Sequence, residues 1–268
     1  MSDTTNQSKA LGYSRYLKIQ ELLSLQEFRS DPPEHDEHLF IVIHQVYELW
    51  FKQMLWEFDW LISSFQAGDR AMATSTLKRM LTILKTMVGQ IGVLETMTPI
   101  SFLSFRNFLE SASGFQSIQF REIEFICGHK RPELIQRHAE DPEACGRLQK
   151  RLDSPSVWDA FCQFLSDKGY DIPRELLERD LSQPAPESTR MQDVLLQVYR
   201  DDSDRRQVCE LMVDLDEGFH EWRYRHVKMV ERTIGMKMGT GGSPGAAYLQ
   251  RTLFTPFFPD LWAIRSRL

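Results

Sequence analysis

Between residues 36 and 65 the apolar positions fall at Phe40, Ile43, Tyr47, Trp50, Met54, Phe58, Leu61 and Phe65, spacings of three and four that return to one face of an α-helix. Asp36 stands where such a helix wants an N-cap. Gly68-Asp69 breaks the pattern. A second stripe follows, made by Leu77, Met80, Leu81, Leu84, Met87, Val88, Ile91 and Leu94, and it ends before Pro99. A third long helix is predicted from about Asp204 to Met236. Shorter helices are predicted over 100–109, 117–127, 131–139, 142–152 and 155–167, and the Pro-rich stretch 182–188 reads as a surface loop. Phe115–Phe125 partly alternates, as a strand would, but no pairing segment exists elsewhere, so helix is the better reading. No internal repeat is present. These patterns predict an all-α fold, a helical bundle of long amphipathic helices, in one domain spanning 1–268.

Composition narrows the function classes. Hydrophobic residues make up 42% and charged residues 26%, the balance of an ordinary globular protein. The net charge of −6, with no dense Lys/Arg block, argues against a nucleic-acid partner. Charges interrupt every long apolar run, so no membrane span is expected. The polar start, Met1 to Lys9, lacks the apolar core of a signal peptide, and a cytoplasmic location is expected. Cys127, Cys145, Cys162 and Cys209 are far apart and form no Cys-x-x-Cys, which favours reduced thiols over a zinc knuckle or a disulfide framework.

Two histidines carry the candidate chemistry. His226 sits one turn from Trp222 and shares an apolar face with Phe219, Met229, Val230 and Ile234. A buried imidazole there is either a core histidine bonded to a backbone carbonyl or an axial haem ligand, because neutral imidazole binds iron and an apolar helix face accepts a porphyrin. His44 lies between Phe40 and Glu48, one turn away on either side, a setting equally suited to a structural histidine and to one that anchors a substrate. Arg106, within Ser101-Phe-Leu-Ser-Phe-Arg106-Asn-Phe-Leu, needs a partner: a carboxylate of this acidic chain or the carboxylate of a ligand. Glu34-His35-Asp36-Glu37-His38 is dense in ligand types, yet acidic residues at a helix start answer the helix dipole. Glu217-Gly-Phe-His220 matches the Glu-x-x-His of a di-iron bundle but has no second copy. Gly239-Thr-Gly-Gly-Ser-Pro-Gly245 lacks the Lys-Ser/Thr ending of a P-loop and is either a plain connection or a lid whose Thr240 meets a small charged molecule.

Taken in order, several stretches resemble the tryptophan 2,3-dioxygenase family: Tyr13-Ser-Arg-Tyr16-Leu17, His35 through Trp50, Val93-Leu-Glu-Thr-Met-Thr-Pro99, Ser113-Gly-Phe-Gln-Ser117, and Trp222-Arg-Tyr-Arg-His226 through Ser243. Residues 130–205 carry little of the match. The resemblance implies an all-α enzyme with haem b in a pocket between helices. It implies a homotetramer that uses O2 to open the indole ring of L-tryptophan, giving N-formylkynurenine. It also implies roles by position. His226 would be the proximal iron ligand, with Ser113 and Gly114 beside the haem. His44 would be the distal catalytic residue facing the indole nitrogen. Phe40 and Phe102 would line the indole pocket, Arg106 would hold the substrate carboxylate, and Thr240 would hold the amino-acid head group. Tyr13, Tyr16 and Leu17 would reach a neighbouring subunit's site. Phe102 stands where some members have Tyr, and Met238 where a basic residue is common. Relatives with the same scaffold act on modified tryptophans or insert one oxygen, which is the alternative activity. A non-catalytic haem or indole sensor and a di-iron oxygenase are the readings from other classes.

Overall fold

The computed structural model describes residues 12–110, 112, 114–239, 249–250 and 253–268. Its α-helices in chain order are α1 (Tyr13–Tyr16), α2 (Ile19–Leu22), α3 (His35–Gln66), α4 (Arg70–Leu94), α5 (Pro99–Phe105), α6 (Ile118–Ile126), α7 (Pro142–Asp153), α8 (Val157–Asp167), α9 (Arg174–Leu177), α10 (Thr189–Asp201), α11 (Ser203–Ile234) and α12 (Pro259–Ala263). Short 3-10 turns occupy Arg106–Leu109, Gly114–Gln116, Pro132–His138 and Ile264–Arg267. No strand occurs among the described residues, and the fold is all-α.

Local chemistry explains most helix starts. Asp69, Thr98, Ser117, Ser188 and Asp202 each accept a backbone N–H from the first turn, and Ser156 forms a reciprocal capping box with Asp159. Helix α3 departs from expectation. It begins at His35 with Glu34 in the cap position, and no side chain caps it. Asp36 lies inside the first turn, where its carboxylate pairs with His35 Nδ1 at 2.8 Å. The buried acid at this end is Glu37, which accepts the backbone N–H groups of Arg29 and Ser30 at 2.7 and 3.1 Å, together with the Ser30 hydroxyl. The chain before α3 folds back onto that carboxylate, so the acid fixes the entry segment instead of the helix's own donors.

Helices α3, α4 and α11 form the central layer, with α8 packed on α3 and α6 bridging α3 to α7. Phe58, Leu61, Phe65, Leu77, Met80 and Phe219 are fully buried between them. Each such side chain contributes roughly 1.5–3 kcal/mol through the area it removes from water. Gly218 sets how closely α11 meets α4, because a Cβ there would lie 2.6 Å from Leu84 Cδ2. Near the middle of α11, the fully buried Asp216 accepts bonds from Phe257 N, Phe258 N and Trp262 Nε1 at 3.0, 3.1 and 3.0 Å, which holds the C-terminal segment against the bundle. Among the described residues no helix is long and apolar enough to cross a membrane.

Candidate active site

Helices α3 and α11 line one cavity with the same helical spacing. Phe40, His44, Tyr47, Glu48 and Phe51 project from α3, and Trp222, His226, Met229, Val230 and Thr233 from α11. Residues 0, 4, 7, 8 and 11 of each set share one face, which explains how two long helices build opposing walls. Ile91 and Leu94 at the end of α4, Phe102 and Arg106 from α5 and its 3-10 extension, and Phe120 from α6 complete a mainly apolar cavity of about 220 Å³.

The two imidazoles differ in how they are held. His44 Nδ1 lies 2.7 Å from the Phe40 carbonyl oxygen. A carbonyl only accepts, so Nδ1 carries the proton and Nε2 keeps its lone pair. Burial holds the His44 pKa below the ordinary imidazole value, against the opposing pull of that carbonyl and of Glu48. His226 lies flat on Trp222, with ring centroids 5.2 Å apart and planes 9° from parallel. Among the described residues neither of its nitrogens has a hydrogen-bond partner. Burial, with a smaller push from nearby His44, drives its pKa down to about 4. At neutral pH it is a neutral base with an uncommitted lone pair facing a cavity.

The cavity lining also holds a charged group of residues, Arg121, Glu124 and Arg223. Glu124 is buried and accepts bonds from Arg121 at 2.5 Å and Arg131 at 2.7 Å. Arg223 is 4% exposed, and its Nη2 has no hydrogen-bond partner among the described residues. Such an orphaned donor is costly unless something fills the cavity and accepts from it.

The comparisons with known proteins bear on the whole chain. A family model described as tryptophan 2,3-dioxygenase matches residues 2–157 and 147–268. A protein of that name from Herpetosiphon aurantiacus is 59% identical over 261 residues, covering 97% of this chain and all of the relative. One from Anaeromyxobacter dehalogenans is 51% identical over the full length of both, and one from an Arthrobacter species is 41% identical over 97% of this chain and 93% of its own. The chain belongs to the tryptophan 2,3-dioxygenase family.

Against that family's pattern, the expected site residues divide into three groups. Phe40, His44, Phe102, Arg106, Gly114 and His226 all line the cavity. Phe40 stands 5.8 Å from Phe102 and 4.0 Å from the His44 ring, centroid to centroid. Arg106 has no carboxylate partner among the described residues; its Nη2 donates to the Met238 carbonyl at 2.6 Å. Tyr13, Tyr16 and Leu17 do not line it, and are 75%, 70% and 43% exposed. Thr240 and Ser113 lie outside the described residues. Arg121, Glu124 and Arg223 were not expected from the sequence. Each is a charge on an otherwise apolar helix face, which is a signal, but their meeting at one cavity depends on how α6 packs against α11.

Proposed function

We propose that the chain is a haem-dependent oxygenase that acts on L-tryptophan and O2, placing both oxygen atoms across indole C2–C3 to give N-formylkynurenine. The observation that carries this reading is the pair of neutral imidazoles on opposing helices of one apolar cavity, one of them without any hydrogen-bond partner among the described residues. The residues present fit haem b: His226 offers an uncommitted nitrogen, the walls are mainly apolar, and Arg223 offers a buried Nη2 donor with no hydrogen-bond partner among the described residues, suited to the porphyrin's carboxylates. When bound, the haem supplies the iron that activates O2.

The remaining work belongs to side chains. His44, held by its Nδ1–H bond to Phe40, presents Nε2 as an acceptor for the indole N–H. Phe40 and Phe102 pack the ring and keep water away from it. Arg106, uncommitted to any carboxylate among the described residues, takes the substrate's carboxylate, and Thr240 assists at the head group. Ser113 and Gly114 would border the haem. We read 1–268 as a single cytoplasmic domain that assembles as a homotetramer. The exposed Tyr13, Tyr16 and Leu17 support the assembly, since apolar side chains at such exposure gain by being covered at a neighbour's site.

Absorption spectra of two variants test the ligand assignment. His226→Ala loses tightly bound haem and its Soret band, whereas His44→Ala retains the band and turns over slowly. A normal Soret band in His226→Ala, or equal loss in both variants, would overturn it.

A further inference from the structure

We infer that the C-terminal segment 255–262 is a positioning element of the cofactor site, holding Arg223 so that its guanidinium meets an anionic group of the bound haem. This inference rests on the haem reading above. It starts from a charge with too few partners. Glu124, a buried carboxylate of the cavity lining, is already bonded to Arg121 and Arg131. Among the described residues Arg223 makes no hydrogen bond to it, and donates only from Nη1, to the Thr255 carbonyl at 3.2 Å. Its guanidinium carbon stands over the Phe257 ring at 4.6 Å. The His129 ring packs against that phenyl, also at 4.6 Å, and its Nε2–H donates to the Pro256 carbonyl at 3.0 Å.

The tail is itself pinned. Asp216, two turns before Arg223 on α11, accepts from Phe257 N, Phe258 N and Trp262 Nε1. One helix therefore carries both the clamp for the tail and the arginine that the tail supports. A carbonyl and an aromatic face leave Nη2 unbonded in a residue that lines the cavity. A guanidinium buried this deeply with a donor to spare is satisfied only by an anion or polar group delivered into the cavity. The carboxylates of haem b are groups of that kind.

The test is the rate at which the reconstituted protein gives up haem to excess apomyoglobin. Arg223→Gln should raise that rate at least about tenfold, as expected for losing a charge-assisted bond. Phe257→Leu should raise it about fivefold in the parent background. In the Arg223→Gln background Phe257→Leu should add nothing, because the tail acts through Arg223. Trp262→Phe, which removes one bond to Asp216 while keeping an aromatic ring, should show a smaller rise with the same dependence, and it serves if Phe257→Leu fails to fold. Equal acceleration by the tail variants in both backgrounds would mean that the tail only supports the fold, and would overturn the inference. So would an unchanged rate in Arg223→Gln. A parent protein that takes up no haem, and so develops no Soret band on reconstitution, would instead remove the haem reading, and this inference with it.

Discussion

Replacing Arg106 by Leu separates a role in binding substrate from a role in holding the fold. Arg106 lines the cavity, is partly exposed, and makes its one bond among the described residues to the backbone carbonyl of Met238. Losing that bond leaves a carbonyl at an exposed position, where water replaces the donor at little cost. The cost therefore falls on the substrate, whose carboxylate loses its cation. Removing one partner of a hydrogen-bonded charge pair costs about 2–5 kcal/mol, and partial exposure of the guanidinium places this site at the lower end, about 2–3 kcal/mol. The corresponding fall in kcat/KM for L-tryptophan is about 30- to 150-fold. Tryptamine, which has no carboxylate, should be a poor substrate for the parent and should lose almost nothing further in Arg106→Leu. Steady-state kinetics on both substrates with matched haem content decide the matter. A parallel loss on both would show that Arg106 holds the fold of α5 and not the ligand.

Further outcomes follow from the same geometry. Because burial depresses the His44 pKa and only the neutral ring keeps Nε2 free to accept, the acid limb of kcat/KM should lie below the ordinary imidazole value of 6.5, with activity level above it; an acid limb above 6.5 that disappears in His44→Gln would contradict the tautomer assignment. Gly218→Ala should destabilise the protein by about 1–2 kcal/mol, since overpacking against Leu84 outweighs the helix propensity gained, and the sign should reverse in a Leu84→Ala background; denaturant midpoints of the four proteins would reveal additivity if the close approach were unimportant.

Periodicity made the long helices legible, and it worked best where the apolar stripe was continuous. Helices α3, α4 and α11 lie where the spacing puts them, and the partly alternating stretch near Phe120 is helical, as the missing strand partner implied. Over 131–139 the chain forms a 3-10 helix instead of an α-helix, with Pro132 at its start. Helix α10 is not among the helices expected from the sequence, although Met191, Val194, Leu195 and Val198 give it a helical stripe and Ser188 caps it. Its neighbourhood of charged and proline residues masked a short but regular signal. The site was legible in part. His44 and His226 stand out because imidazoles on apolar faces need partners, but on pattern alone a core role stays open beside a ligand role, and for His226 it is the favoured one. The resemblance to a family supplied the roles. The Nδ1–H bond from His44 to Phe40, the unpartnered His226 and the Arg223–Phe257 contact depend on rotamers and on segments more than thirty residues apart, and periodicity does not encode these.

Ring cleavage leaves both atoms of O2 in the product, and the mass of the product that the reduced, haem-loaded protein forms from L-tryptophan under 18O2 reads this directly. N-formylkynurenine carrying two labelled oxygens is expected. A product with one labelled oxygen, such as an oxindole, or no turnover of tryptophan alongside turnover of a methylated analogue, would contradict it.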